Sequence, residues 1–123
     1  MSRALTFKVI ASLAFAAVAT AAFAHAQLQK ATPAVGSTVN ASPTEIRLKF
    51  SEGVEPRFSG VALSAADGVA QPLGKAAVDA ADNSVLIVKI AKTLPPGVYT
   101  VNWHAVSVDT HHTQGSFEFT VTP

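Results

Sequence analysis

The segment Glu45-Ile46-Arg47-Leu48-Lys49-Phe50 decides the fold class, because charged and apolar residues alternate along it without exception. A period of two is typical of a β-strand that has one face on a core and the other in solvent. The segment Gly115-Ser116-Phe117-Glu118-Phe119-Thr120-Val121 alternates in the same way. Residues 98–105 also predict a strand, with one apolar face formed by Tyr99, Val101, Trp103 and Ala105.

Further short strands are predicted from runs of apolar and β-branched residues between turn signals, over residues 25–32, 58–64, 75–78 and 85–90. Turn signals such as Asp67-Gly68 recur every eight to twelve residues along the chain. No stretch of ten residues shows helical spacing with caps. The pattern predicts an all-β fold, a small antiparallel β-sandwich forming one domain.

Residues 1–24 are expected to be a secretory signal peptide. Two cations precede an apolar run from Val9 to Ala24, which ends in Ala22-Phe23-Ala24, the small-x-small pattern of a signal peptidase site. An uncleaved membrane anchor is the alternative, but the run is shorter than the roughly 20 apolar residues that a span needs. We therefore expect cleavage after Ala24 and an exported mature domain, residues 25–123, that is not itself embedded in a membrane.

The composition of this mature domain narrows the classes of function. Loss of Arg3 and Lys8 takes the formal charge from +1 to −1, and this balance argues against nucleic-acid binding, which calls for a basic patch. The sequence has no cysteine, and its one methionine is Met1. Thiolate zinc sites, iron–sulfur clusters and blue-copper sites are thereby excluded. Any bound metal must be held by nitrogen and oxygen.

Asp109 and His111 are the first candidate metal ligands. In an extended backbone, residues two apart project to the same face, so a carboxylate and an imidazole would lie side by side. Two ligands bind weakly, but cleavage would give His25 a free α-amine that can chelate an ion together with its imidazole. Three nitrogens and one oxygen suit Cu(II), whereas Cu(I) prefers sulfur. The alternative is that His25 is a frayed terminus and residues 109–111 a solvated turn.

The mature sequence closely resembles the CopC family of exported bacterial copper-binding proteins, associated with copper resistance and uptake, over essentially its whole length. The motifs that carry the resemblance are, in chain order, His25-Ala26-Gln27-Leu28, Thr32-Pro33-Ala34-x-Gly36-Ser37, Phe50-Ser51-Glu52 and Trp103-x-x-x-Ser107-x-Asp109-x-His111-x-x-x-Gly115. The resemblance implies a Greek-key sandwich of about seven strands, of the cupredoxin-like or immunoglobulin-like type.

By this resemblance, His25, Asp109 and His111 match the ligands of one Cu(II) ion per mature chain, with His25 binding through two nitrogens. Glu52 matches an acidic residue close to the ion, and we expect it to accept a hydrogen bond from the His25 amine or a bound water; an ordinary charged residue at a strand end is the alternative. Some members have a methionine-rich Cu(I) site, which we do not expect here. A frequent partner in the family is an inner-membrane copper-transport protein of the CopD type.

The two remaining histidines are expected to lie outside the copper site. His112 should point away from His111, and His104 follows the core residue Trp103 and should face solvent; a contribution from either stays open. The predicted function is a periplasmic Cu(II) carrier or buffer without enzymatic activity. The alternatives are a histidine-brace copper oxidase or oxygenase and a non-metal adhesion or accessory module. A carboxylate in a ligand position and the small size of the domain argue against the enzyme.

Overall fold

The computed structural model describes residues 26–123, and all regular secondary structure in this range is β. Nine strands are found there: β1 Leu28–Thr32, β2 Thr38–Val39, β3 Glu45–Phe50, β4 Gly60–Ala65, β5 Ala70–Gln71, β6 Ala77–Asp79, β7 Asp82–Lys89, β8 Gly97–Val106 and β9 His112–Val121. None of these residues belongs to a helix long and apolar enough to cross a membrane. The predicted signal peptide and His25 lie outside the described residues.

The strands form two sheets packed face to face, in the orders β1-β3-β7-β6 and β2-β9-β8-β4-β5. The predicted β-sandwich is therefore confirmed. Seven strands have three residues or more, and the two-residue strands β2 and β5, which the sequence did not predict, extend the edges of the second sheet. All neighbouring strands are antiparallel except β2 and β9, which pair in parallel.

The core lies between the two sheets and follows the predicted alternation. Along β3, the side chains of Ile46, Leu48 and Phe50 are fully buried, while the three charged residues between them reach the outer face. The predicted apolar face of β8 is buried as well. The rings of Phe50 and Trp103 meet edge to face across the sandwich, with centroids 5.2 Å apart. This contact joins the two sheets at the end of the core where β3 and β8 lead into loops.

The predicted strand over residues 58–64 begins later than expected, because residues 55–59 loop out of the ladder. Val54 forms an isolated β-bridge with Ser107, and the next ladder pair is Gly60 with His104. More residues therefore separate these two pairs on the segment between β3 and β4 than on the opposite strand, β8. The Ser59 hydroxyl accepts a hydrogen bond from the backbone N–H of Val106 at 3.0 Å, which replaces a ladder bond. Within this loop, Phe58 lies in a turn and is 61% exposed, so its prediction as a strand residue is wrong.

Candidate metal site

The two candidate ligands lie in the turn that joins β8 to β9. The backbone N–H of Ser107 donates to the carbonyl of His111 at 2.9 Å, and the N–H of Thr110 donates to the carbonyl of Ser107 at 2.8 Å. Thr110 has a φ of 75°, in the left-handed region. The backbone at Asp109 therefore turns, and the extended geometry that would place the two side chains on one face is not present here. The turn nevertheless brings Asp109 Oδ1 within 3.1 Å of His111 Nδ1.

Three donors converge on one oxygen of Asp109. Oδ1 accepts hydrogen bonds from the hydroxyl of Ser107, from Nδ1 of His111 and, at 3.4 Å, from the backbone N–H of His111. The Ser107 hydroxyl, followed by His111, lowers the pKa of Asp109 below its ordinary value of 3.8. Because the Asp109 and His111 side chains are 40% and 50% exposed, they can be reached from solvent. An ionised carboxylate and an imidazole thus stand side by side at one end of the sandwich.

The start of the described chain is fastened beside this turn. Ala26 is fully buried, and its carbonyl accepts a hydrogen bond from the hydroxyl of Thr113 at 2.8 Å. Gln27 exchanges hydrogen bonds with Ser51: its N–H donates to the serine hydroxyl at 2.9 Å, and its carbonyl accepts from the serine N–H at 2.8 Å. The bond to Thr113 holds Ala26 against β9, two residues along the chain from the candidate ligand His111.

Glu52 lies between the β1 start and the ligand turn. The preceding residue, Ser51, bonds to Gln27, and the carbonyl of the following residue, Gly53, accepts from the N–H of Val108 at 3.0 Å. Glu52 itself is half-buried. A Cβ at position 53 would stand 2.7 Å from the amide group of the exposed Asn83 side chain, which would have to move to admit it. The backbone at Gly53 can therefore approach both Asn83 and Val108 closely, which brings Glu52 to the same end of the sandwich as Asp109.

Known proteins resemble this chain in both sequence and fold. The sequence model of the CopC domain matches residues 28–122. The chain belongs to the CopC family. Its sequence is 41% identical to protein YobA of Escherichia coli K12 over 112 residues, which cover 91% of this chain and 90% of YobA.

Two solved structures of this family also resemble the chain. The crystal structure of CopC from Methylosinus trichosporium OB3b matches with a TM-score of 0.75 and 32% identity, covering 80% of this chain and 95% of that one. PcoC, a methionine-rich copper resistance protein from Escherichia coli, matches with a TM-score of 0.72 and 36% identity, covering 80% of this chain and all of PcoC. Unlike PcoC, this CopC-family chain has methionine only at position 1.

The other histidines of this CopC-family chain lie where the sequence predicted exposure. His104 is exposed on the outer face of the five-stranded sheet, and its ring packs over Gly60. A Cβ added at position 60 would lie 3.0 Å from this ring. His112 is exposed at the start of β9, opposite Val106. Among residues 26–123, no group of three or more His, Cys, Asp or Glu side chains is placed to hold a metal. The described part of the site is the pair formed by Asp109 and His111.

The sequence did not predict the two hydroxyls that organise this site. They are the hydroxyls of Ser107 and Thr113, and each acts through a contact that depends on the fold. Thr113 bonds to a residue 87 positions away, and Ser107 acts through a turn whose geometry the sequence did not reveal. The one signal in the sequence is Ser107 two residues before Asp109, a spacing at which a hydroxyl can reach a carboxylate in a turn.

Proposed function

We propose that the mature protein, residues 25–123, binds one Cu(II) ion through His25, Asp109 and His111 and carries or buffers copper in the periplasm. The observation that carries the proposal is the fastening of Ala26 to Thr113, two residues from His111. It supports a location for residue 25 next to the pair formed by Asp109 and His111. Membership of the CopC family, in which PcoC is a copper resistance protein, supports copper as the ion.

The donor atoms suit a cupric ion. His25, once it is the first residue, supplies an α-amine and an imidazole nitrogen, and the amine has an ordinary pKa near 8, so a metal displaces its proton at little cost. His111 supplies one imidazole nitrogen, and its ring lies beside Asp109, with Nδ1 at 3.1 Å from Oδ1. With one oxygen of Asp109 the set is three nitrogens and one oxygen, which favours Cu(II) in tetragonal geometry. The mature chain contains no sulfur for a Cu(I) site.

Glu52 is proposed as an outer partner of the ion rather than a ligand. Its neighbours on both sides are bonded to the two segments that would supply ligands, Gln27 and Val108. A carboxylate there can accept a hydrogen bond from the His25 amine or from a bound water, which orients the group that coordinates copper. The proposal predicts that removal of Glu52 weakens copper binding less than removal of Asp109.

The biological role proposed is transport of copper without catalysis. A signal peptide over residues 1–24 would export the chain, and an inner-membrane protein of the CopD type would receive the ion or deliver it. A carboxylate takes the place that a further histidine fills in copper oxygenases with a histidine brace. We therefore expect no ascorbate-driven consumption of oxygen or peroxide beyond that of free copper.

The test compares two forms of the protein by titration with Cu(II) against a competing chelator. One form begins at His25, and the other keeps an additional Met before it. We expect the extension to weaken binding by orders of magnitude, because it converts the amine ligand into an amide. Equal affinity of the two forms would remove His25 from the site.

A variant pair completes the test. His111→Ala should weaken binding and change the electron paramagnetic resonance spectrum of the cupric ion, whereas His112→Ala, which removes the exposed neighbouring imidazole, should change neither. Mass spectrometry of the exported protein then checks the cleavage itself. A secreted chain that starts anywhere other than residue 25 would contradict the proposed site.

A further inference from the structure

The strand β6 forms an open edge of the sandwich. It is the last strand in the order β1-β3-β7-β6, so one side of its backbone has no neighbouring strand in the described chain. Such edges attract other chains, because their N–H and C=O groups are free to pair, and charged side chains normally protect them. The one charged residue of β6, Asp79, is instead bonded to Arg47 at 3.3 Å, and the rest of the strand is apolar. The edge is therefore open to an extended segment of another protein.

An apolar groove of about 450 Å³ lies beside this edge. Its lining comes from the loop before β4 and from the segment that leads into β6, and consists of Pro56, Arg57, Lys75, Ala76, Ala77 and Val78. Ala76 and Val78 pack against the core and are still partly exposed. Phe58, which follows Arg57 in the loop, is 61% exposed. Apolar side chains that are continuous with the core thus reach solvent along the open edge.

Two cations line the groove without an acidic partner. The side chains of Arg57 and Lys75 form no hydrogen bond or ion pair with any residue from 26 to 123. By contrast, Arg47 and Lys49, on the outer face of the same sheet, are both bonded to carboxylates. Glu55 belongs to the same loop as Arg57 but does not line the groove. The positive charge at the groove is therefore available to a negative group of a partner.

We propose that this groove binds an extended acidic segment of a partner protein, which adds a strand to the open edge of β6. Backbone hydrogen bonds to β6 give the affinity in this mode of recognition, and alternate side chains of the segment enter the groove and give the specificity. Carboxylates of the segment pair with Arg57 and Lys75. Because β6 has only three residues, the binding is weak and reversible. None of the candidate copper ligands lines the groove, so the inference is independent of the proposed copper site.

The same observations disfavour two other occupants. An anionic amphiphile such as a fatty acid would use the apolar lining and one cation, but it has no backbone groups to pair with the strand edge. A second copy of this chain would bring positive charge to positive charge. The opposite edge strand of the sheet, β1, contains Lys30 and no acidic residue, and like charges across a strand pair are destabilising.

The test uses an end-blocked peptide with the sequence Glu-Val-Ser-Val-Ser-Val-Glu, which is titrated into the nitrogen-15-labelled mature protein, residues 25–123. In an extended peptide the three valines share one face, and a carboxylate stands at each end. We expect backbone amide shifts centred on Arg57 and residues 75–79, and weaker binding at high salt, which screens exposed charges. Shifts centred on β1, the other open edge of this sheet, or no shifts at all, would overturn the inference.

Two control peptides separate the contributions to binding. In the first, Gln replaces both Glu residues, and in the second, Pro replaces the central Val and removes one backbone N–H donor. Both should bind more weakly than the parent peptide, and binding of the first should no longer depend on salt. Equal binding of all three peptides would show that neither the charges nor the strand pairing matters, contrary to the proposal.

Variants of the protein test the two cations. Arg57→Gln and Lys75→Gln should each weaken binding of the parent peptide about two- to fivefold, as expected for one exposed ion pair, and leave binding of the Gln peptide unchanged. Lys92→Gln is the matched control, because it removes an exposed cation that does not line the groove. An equal loss in Lys92→Gln would assign the effect to general electrostatic attraction and overturn the role of the groove.

The same amide signals identify a different occupant. Decanoate that shifts residues 75–79 while the peptide does not would assign the groove to an anionic amphiphile. Shifts of these amides that depend on protein concentration, with no probe added, would assign it to a second copy of the chain. Either result would overturn the proposal of an acidic partner segment.

Discussion

The hydroxyl of Thr113 donates a 2.8 Å hydrogen bond to the carbonyl oxygen of Ala26, joining the beginning of the described chain to β9. Ala26 is fully buried, so no solvent replaces the bond if it is lost. The contact lies beside the turn that carries Asp109 and His111. It is therefore a structural fastening of the N-terminal segment and, in the proposed function, a means of holding residue 25 next to the copper ion.

Thr113→Val should weaken both stability and copper binding. Valine keeps the shape of threonine but leaves the buried Ala26 carbonyl without its donor, which costs about 1–3 kcal/mol. We expect Cu(II) affinity to fall about tenfold, in the range of residues that orient a ligand. Thr113→Ser, which keeps the hydroxyl, is the control for both measurements. Unchanged copper affinity in Thr113→Val would show that this bond does not position residue 25.

The strands could be predicted from sequence wherever side-chain burial alternates locally. The β3 bounds agree with the prediction for Glu45–Phe50, and the buried stripe Phe117, Phe119 and Val121 of β9 was also predicted correctly. Local sequence patterns did not predict the features whose structure depends on a partner distant in the sequence. The two-residue strand β2 is defined by its pairing with β9, and Phe58 lies outside the ladder, in a loop where the Ser59 hydroxyl accepts the N–H of Val106.

The candidate site, like the strands, could be predicted from the sequence only in part. Asp109 and His111 could be chosen because a carboxylate and an imidazole two residues apart are chemically suited to a metal. Their approach to 3.1 Å, however, depends on the left-handed conformation of Thr110, and not on the extended backbone from which it was predicted. The roles of Ser107 and Thr113 depend on contacts that form only in the folded sandwich. His25 as a ligand stays a prediction.

Asp109→Asn should impair copper binding more than the loss of a residue that only orients a copper ligand. The amide keeps an oxygen that accepts the Ser107 bond, so the turn is preserved, but the negative charge opposite the cupric ion is lost. We expect the affinity to fall by more than the roughly 10–100-fold typical of outer partners. Because the pKa of Asp109 is lowered from 3.8, the carboxylate is already ionised at neutral pH, and the difference between the two proteins should persist throughout the neutral range.

Asp67→Asn is the matched control for the loss of one negative charge in Asp109→Asn. Asp67 follows β4, near the start of β8 at Tyr99, whereas Asp109 follows the other end of β8. Both substitutions change the net charge equally, so a general electrostatic attraction for copper would reduce binding in both variants. A loss confined to Asp109→Asn in chelator competition would assign the effect to coordination. Equal losses would contradict the ligand role.

The ionised carboxylate of Asp82 should stabilise the sandwich at neutral pH, and this contribution should be lost in acid. Its carboxylate accepts bonds from the hydroxyl of Ser84 at 2.6 Å, the N–H of Ser84 at 3.0 Å and the Lys49 ammonium at 3.2 Å. The Ser84 hydroxyl is the largest cause of the lowering of the Asp82 pKa from 3.8 to about 2. A depressed pKa in the folded state means that the contribution is fully present above 3.8 and is lost as pH falls through about 2.

The variants Asp82→Asn and Ser84→Ala test this linkage by denaturant unfolding as a function of pH. Both should be less stable than the wild type at neutral pH, and the difference should shrink as the pH falls from about 4 towards 2. The slope of stability against pH in that window should be steepest in the wild type. A difference that stays constant from neutral to acid pH would show that the two side chains contribute by packing alone and not through the ionised carboxylate.

Gly115→Ala should destabilise the protein, because Trp103 leaves no room for a side chain opposite it in the ladder. A Cβ at position 115 would lie 2.6 Å from Cζ2 and 2.8 Å from Cε2 of the indole. The indole cannot retreat freely, since Phe50 packs against it at 5.2 Å. Overpacking of this kind typically costs about 1–3 kcal/mol. The free energy of unfolding is measured through the fluorescence of Trp103, the single tryptophan of the sequence.

Gly74→Ala is the control, because a Cβ there meets Lys89 Cβ at 3.5 Å, an ordinary contact. We expect its effect on stability to stay within about 0.5 kcal/mol. The loss in Gly115→Ala should be accompanied by a shift in the emission of Trp103, since the strain falls on the indole itself. If both variants unfold at the same denaturant concentration as the wild type, the close contact between Trp103 and Gly115 is not what requires glycine at this position. In that case the indole must have an alternative position in the core, despite the edge-to-face contact with Phe50.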